Sequence, residues 1–210
     1  MTLKYVLRVP SGAGDDAELP LVIVMHGRGA DANDLADLAP YIDNGYRFVF
    51  PNAPKPFEAY PGMTFGYTWF DRLPPEQNSL EESRNLVLQF IDEMVAKYPT
   101  PPGKIVLSGF SQGGMMSLDA GFRTKQQLAG IVVMSGALHE GDLPRLHSDV
   151  PVLIVHGTAD EMINVNMARR ARRVLEEHRP QPEYHEFPMG HQVSPESLAV
   201  VAGFIHKVLE

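Results

Sequence analysis

Ser111 stands at the centre of Gly109-Phe110-Ser111-Gln112-Gly113, a G-x-S-x-G pentapeptide. A serine hydroxyl could serve there as a nucleophile, but only with help, because an unassisted serine is a weak one. Ile105 to Leu107 run into the pentapeptide as a buried strand of a parallel sheet would, and Met115, Met116 and Leu118 continue it as a helix. A serine on so sharp a strand-to-helix bend is forced into strained backbone, and small flanking residues let neighbouring backbone come close enough to tolerate it. The hydroxyl then points out of the sheet, beside unpaired N–H groups and the positive end of a helix dipole, where negative charge can develop. A glycine-rich turn with an incidental serine is the alternative, and the partners decide between the two.

Such a serine needs a neutral imidazole to take its proton and a carboxylate to fix the imidazole's tautomer. Asp160 follows the apolar strand Val152 to Val155 and the small turn His156-Gly157-Thr158-Ala159; taken alone it reads equally well as the N-cap of the next helix. His191 follows Gly190 between the last strand and the last helix. Of the eight histidines, His178 and His206 fall on helical patterns, His185 inside a strand, and His139 and His147 in a polar excursion. His26 and His156 each end a strand before glycine, a place for organising backbone. The chain order Ser111, Asp160, His191 is the one expected when nucleophile, acid and base sit on successive loops of an α/β-hydrolase sheet. A tetrahedral oxyanion would need two backbone donors. One is the N–H of Gln112, and the candidate for the other is the N–H of Arg28, in His26-Gly27-Arg28-Gly29 after an earlier strand.

The elements that must hold these residues follow from periodicity. Leu3 to Val9 alternates as an edge strand does, Leu21 to Met25 is a continuous apolar strand, and Asp31 to Leu35 opens a short helix with side chains able to cap its first turn. Arg47 to Phe50 is a strand that runs into prolines, so Pro51 through Gly62 is expected to be an ordered loop, continuing to Asp71. Asn78 to Tyr98 has a helical period, and Pro99 to Gly103 ends it. Leu128 to Met134 and Val152 to Val155 are buried strands, Val165 to His178 a basic helix, Glu183 to Phe187 a last strand, and Ser194 to Leu209 a closing amphipathic helix. Alternating strands and helices imply a mostly parallel sheet covered on both faces, with ligands at the carboxyl ends of its strands.

The 210 residues, 44% hydrophobic and with no linker-like tract, are read as a single domain over residues 1–210. A formal charge of −8 argues against a nucleic-acid or anionic-membrane partner, since either needs a basic patch; the cluster Arg169-Arg170-Ala171-Arg172-Arg173 is read as a solvated helix face. The absence of cysteine excludes disulfides, thiolate metal sites and a cysteine nucleophile. MTLKYVLRVP lacks the apolar core of a signal peptide and no apolar run is long enough to span a membrane, so a cytoplasmic location is expected. Neither a phosphate-binding G-x-x-x-x-G-K-[ST] nor a zinc-binding H-E-x-x-H occurs, and neither metal nor cofactor is expected.

HGRGADANDL, PNAPKP followed by GYTWFD, GFSQGG, HGTADEMINV and MGHQVSPE, in this order across nearly the whole chain, resemble the phospholipase/carboxylesterase branch of the α/β-hydrolases, which includes acyl-protein thioesterases. The resemblance implies a compact sheet flanked by helices without a large cap domain, and a serine hydrolase with Ser111, Asp160 and His191 as triad and Arg28 and Gln112 as oxyanion donors. It assigns Met162, Trp69 and Phe65 to the substrate side. Met162 is expected to face the cleft, Trp69 to pack beneath the loop beside the site, Asp71 to cap or bridge backbone, and Met189 is a weaker candidate. Asp31 stands one place later than in the HGLGD common among the thioesterases, and Gly136-Ala137 stands where a bulky aromatic is often seen; both bear on acyl preference. The expected substrates are short to medium acyl esters, with thioesters or lysophospholipids as alternatives and a non-catalytic binding module as a third reading. A homodimer is one assembly compatible with this picture.

Overall fold

The computed structural model describes residues 3–43, 45–72, 75–139, 149–178 and 181–210. Seven strands form one sheet in the order β1-β3-β2-β6-β7-β8-β9. They are β1 (Tyr5–Arg8), β2 (Leu21–Met25), β3 (Arg47–Pro51), β6 (Ile105–Phe110), β7 (Gly130–Met134), β8 (Val152–Gly157) and β9 (Glu183–Phe187). Only β1 runs antiparallel, and it lies at the edge, where its alternating pattern placed it. The inner strands β2, β6, β7 and β8 are continuous apolar runs because both of their faces are covered.

Side chains of alternate residues divide the core into two layers. Ile23, Met25 and Leu107 face α2 (Gln77–Lys97) and α3 (Gln112–Gly121), packing with Phe90, Ile91 and Met116. Ile131, Val133 and Ile154 on the same side meet Ala168 and Leu175 of α4 (Val165–His178). On the other face Val22, Val24, Val106 and Val132 meet α1 (Ala39–Ile42) and Val201, Phe204 and Ile205 of α5 (Pro195–Leu209). Among the described residues every helix belongs to one of these two layers, which leaves no helical cap. None is long and apolar enough to cross a membrane.

One segment departs from its sequence reading. Pro51 to Gly62 was expected to be a loop, but Lys55–Tyr60 (β4) and Met63–Thr68 (β5) form a separate antiparallel hairpin outside the main sheet. The prolines keep β4 out of the central sheet, while Pro61-Gly62 supplies the turn, Gly62 at φ 79°. Tyr67 ties the hairpin to the loop after β2: its carbonyl accepts from Gly29 N–H at 2.8 Å, and its N–H donates to the Ala30 carbonyl at 2.8 Å.

The chain bends most sharply between β6 and α3. Ser111 adopts φ 56°, ψ −120°, and its N–H donates to the Met134 carbonyl at 2.8 Å. Helix α3 can start there only because Gly109 and Gly113 lack side chains. A Cβ on Gly113 would lie 2.0 Å from the Met25 carbonyl oxygen, and one on Gly109 would lie 2.2 Å from the Gly113 carbonyl carbon. Since backbone, unlike a side-chain tip, cannot swing aside, Gly113→Ala should destabilise the fold by about 1–3 kcal/mol, lowering the melting temperature by several degrees. Thermal unfolding by circular dichroism checks this, and an unchanged midpoint would count against the close packing of α3 on β2.

Candidate active site

Three loops at the carboxyl ends of parallel strands bring Ser111, Asp160 and His191 together. Ser111 ends β6, Asp160 lies three residues past β8, and His191 lies four past β9. The last two loops are laced to each other: Thr158 N–H donates to the Phe187 carbonyl at 2.8 Å and Ala159 N–H to the Met189 carbonyl at 3.1 Å. Just beyond His191, Ser194 and Ser197 form a capping box with Pro195 in the first turn, fixing where the loop ends and α5 begins.

His191 Nδ1 lies 2.7 Å from Asp160 Oδ2, and its Nε2 lies 2.9 Å from Ser111 Oγ. A carboxylate can only accept, so Nδ1–H donates to it, leaving the Nε2 lone pair to accept the serine O–H. Asp160 is held from both ends. Oδ1 accepts the N–H groups of Met162 at 2.9 Å and Ile163 at 2.8 Å, so the carboxylate does arrest local backbone as a capping residue would, while Oδ2 turns to the histidine.

Two further histidines are built into the same strand ends. His26 Nε2 accepts the Ala53 N–H at 3.0 Å, which puts the ring proton on Nδ1, 2.7 Å from the Gly27 carbonyl. His156 Nε2 lies 2.8 Å from the Ile163 carbonyl and 3.3 Å from Asp160 Oδ2. Both rings organise backbone at strand ends, and burial pushes the pKa of each below the ordinary histidine value. His185 and His206 are partly exposed and pair with Glu183 and Asp43, away from the serine. His147 lies outside the described residues.

The loop after β2 carries the second oxyanion candidate. Its turn is closed by Ala30 N–H to the Gly27 carbonyl and Gly29 N–H to the Tyr67 carbonyl, neither of which uses the Arg28 N–H. The Arg28 side chain is exposed, with its guanidinium 4.7 Å above the Phe57 ring. The Gln112 N–H belongs to the first turn of α3, where a helix offers it no acceptor.

Of the residues assigned to the substrate side, Trp69 presents no surface to a ligand. It is fully buried beneath the site, its indole N–H donating to the His26 carbonyl at 2.9 Å. Met162 is 75% exposed beside the Asp160 loop, and Phe65 is 51% exposed on the outward side of β5. Met189 is buried and serves through its carbonyl. Asp71 lies 3.7 Å from Lys55 Nζ at the surface, where the hairpin brings that lysine to it. One contribution had no sequence signal beyond the WFD and GFSQGG strings themselves: the Gln112 side chain, buried, binds the segment Thr68 to Phe70.

Beside α3 is a mostly apolar cavity of about 290 Å³, bounded by Phe70, Leu80, Met115, Ala137 and Met167. Asp119 and His139 also reach its wall, Asp119 held by Arg84 at 2.6 Å and Arg123 at 2.6 Å. Neither this cavity nor another, about 250 Å³ between Leu3, Ala53 and Leu86, has Ser111, Asp160 or His191 in its walls, but the first adjoins the elbow through Met115, whose N–H donates to the Ser111 carbonyl at 3.1 Å.

The sequence profile of the phospholipase/carboxylesterase family matches residues 11–209. The chain belongs to that family. It is 27% identical over 203 residues to acyl-protein thioesterase 1 homolog 1 of Dictyostelium discoideum, covering 90% of each chain. It is 28% identical over 208 residues to acyl-protein thioesterase 1 of Neurospora crassa, covering 88% of this chain and 84% of that one. Among solved structures, esterase PE8 superposes with a TM-score of 0.86 at 28% identity over the whole of both chains. The Bacillus cereus carboxylesterase shares the fold, with a TM-score of 0.82 at 22% identity over 98% of this chain and 94% of that one. The chain is built on the α/β-hydrolase sheet.

The buried histidines make a prediction for stability. His26 and His156 bind a proton readily near pH 6.5 when unfolded but resist it when folded, so the unfolded chain binds more protons below that pH. Stability should therefore fall as pH drops from about 6.5 toward 5, by up to about 1.4 kcal/mol per pH unit for each histidine. Urea unfolding across this range measures it, and a stability independent of pH between 7 and 5 would contradict neutral burial of the two rings.

Proposed function

We propose that the protein is a carboxylic ester hydrolase in which Ser111 is the nucleophile, His191 the general base and then acid, and Asp160 the group that orients and charge-balances the imidazole. The observation that carries this reading is the single chain of contacts through the His191 ring, with a strained serine at one end and a buried carboxylate at the other. Ser111 Oγ attacks the ester carbonyl carbon as its proton passes to His191 Nε2. The carbonyl oxygen becomes an oxyanion received by the N–H groups of Arg28 and Gln112. Collapse breaks the bond to the leaving alkoxide, which takes the proton from the imidazolium, and an acyl-enzyme remains. Water then repeats the sequence on the acyl-enzyme, giving the carboxylic acid and free Ser111.

The acyl group of the ester would occupy the apolar cavity beside α3. Each methylene buried there is worth about 0.8 kcal/mol, roughly four-fold in kcat/KM, and the gain stops when the cavity is full. A cavity of about 290 Å³ favours short to medium acyl chains. A thioester of the same acyl size fits the same machinery, and the names of the relatives from Dictyostelium discoideum and Neurospora crassa favour that second reading.

Two experiments test these assignments. Ser111→Ala and His191→Ala should each lose roughly 10⁴-fold or more in kcat while remaining folded, whereas His185→Ala and His206→Ala should stay near the parent. A folded Ser111→Ala variant that still turns over would refute the mechanism. For acyl range, kcat/KM measured on p-nitrophenyl esters and matched thioesters from acetyl to palmitoyl should rise and then level off or fall. A monotonic rise to palmitoyl would refute the short-to-medium preference.

A further inference from the structure

The two proposed oxyanion donors come from loops far apart in sequence, and one buried segment is hydrogen-bonded to both. On the β2 side, Tyr67 is bonded to Gly29 and Ala30, and the Trp69 indole N–H donates to the His26 carbonyl at 2.9 Å, two residues before Arg28. On the α3 side, the Gln112 carboxamide is fully engaged. Its Oε1 accepts the Trp69 N–H at 3.1 Å and lies 2.9 Å from the Thr68 hydroxyl, and its Nε2–H donates to the Phe70 carbonyl at 2.8 Å. Trp69 is itself immobilised: it is fully buried, its carbonyl accepts from the Ser83 hydroxyl, and its ring packs 5.6 Å from the His26 ring.

We propose that Trp69 is a positioning residue for the oxyanion hole, its indole N–H and backbone N–H together setting the spacing between the Arg28 and Gln112 amides. This rests on the oxyanion-hole assignment above. Hydrogen bonds to an oxyanion act through distance and direction, so a small drift of either loop weakens the transition state while leaving ground-state binding nearly untouched.

The test is Trp69→Phe, which keeps a buried aromatic ring while removing the indole N–H and part of the ring's volume, beside Gln112→Met, which keeps the Gln112 backbone N–H, nearly conserves side-chain volume and removes the carboxamide. With p-nitrophenyl butyrate each variant should lose roughly 10- to 100-fold in kcat with KM within about three-fold of the parent. Inhibition by butylboronic acid, whose serine adduct mimics the tetrahedral state, should weaken by a similar factor. The double variant should lose little more than either single one, because both changes release the same segment. A folded Trp69→Phe variant with parental kcat and parental boronate inhibition, or a loss confined to KM, would overturn the proposal. Should that variant fail to fold, Gln112→Met decides alone on the same criteria. Retained activity in Ser111→Ala would instead undo the serine mechanism, a separate failure.

Discussion

The contact between α3 and the end of β2 is the constraint on which the site depends. Ser111 sits at φ 56°, ψ −120°, a conformation that costs a non-glycine residue about 1–3 kcal/mol and persists only where the surroundings over-determine it. Here the determination is mutual. Gly113 lies directly on the carbonyls of Met25 and His26, the Ser111 N–H is anchored to Met134 on the neighbouring strand, and the buried methionines of α3 press into the core. The packing that forces the serine out of the sheet also brings the first turn of α3 against the loop that carries Arg28. The proposed nucleophile and oxyanion donors are thus products of one backbone contact.

Electrostatics completes what packing starts. The Asp160 side chain has no exposure to solvent, and a carboxylate so placed is tolerable only where hydrogen bonds replace its hydration. Two backbone N–H groups hold Oδ1 and the His191 ring holds Oδ2. His156 adds a second ring 3.3 Å from Oδ2, kept neutral by burial. One negative charge therefore faces the His191 imidazole, whose other nitrogen lies against the serine hydroxyl.

What was legible in the sequence was what local patterns determine. Continuous apolar runs marked β2, β6, β7 and β8 because strands buried on both faces have no polar alternation, and the G-x-S-x-G string marked the elbow because only glycine tolerates that approach. The hairpin β4–β5 was not legible. Its prolines argue against a strand, and what rescues it is non-local, the bonding of Tyr67 to Gly29 and Ala30. The ion pair of Asp71 was not legible for the same reason, since its partner Lys55 arrives through that hairpin. Arg47 read as an ordinary strand residue, yet it is fully buried, its guanidinium donating to the carbonyls of Ala17 and Pro99 and lying 4.6 Å above the Tyr98 ring. No pattern along the chain announces a cation whose partners are carbonyls contributed by distant loops.

Rigid and variable parts are divided along the chain. Ser111 and Asp160 follow the inner strands β6 and β8, where displacement would disturb the packed core, and His191, after the edge strand β9, is laced to the Asp160 loop. The hairpin instead lies outside the main sheet, joined to the β2 loop at Tyr67, and its outward residues Tyr60, Met63 and Phe65 are more than half exposed. Substitutions at those positions disturb few buried contacts and should cost little stability. Further along the same segment, at Thr68 to Phe70, the chain is buried and bonded to the elbow, and such freedom ends. The exposed and the immobilised stretches of this one segment thus meet at the point where Tyr67 joins the β2 loop.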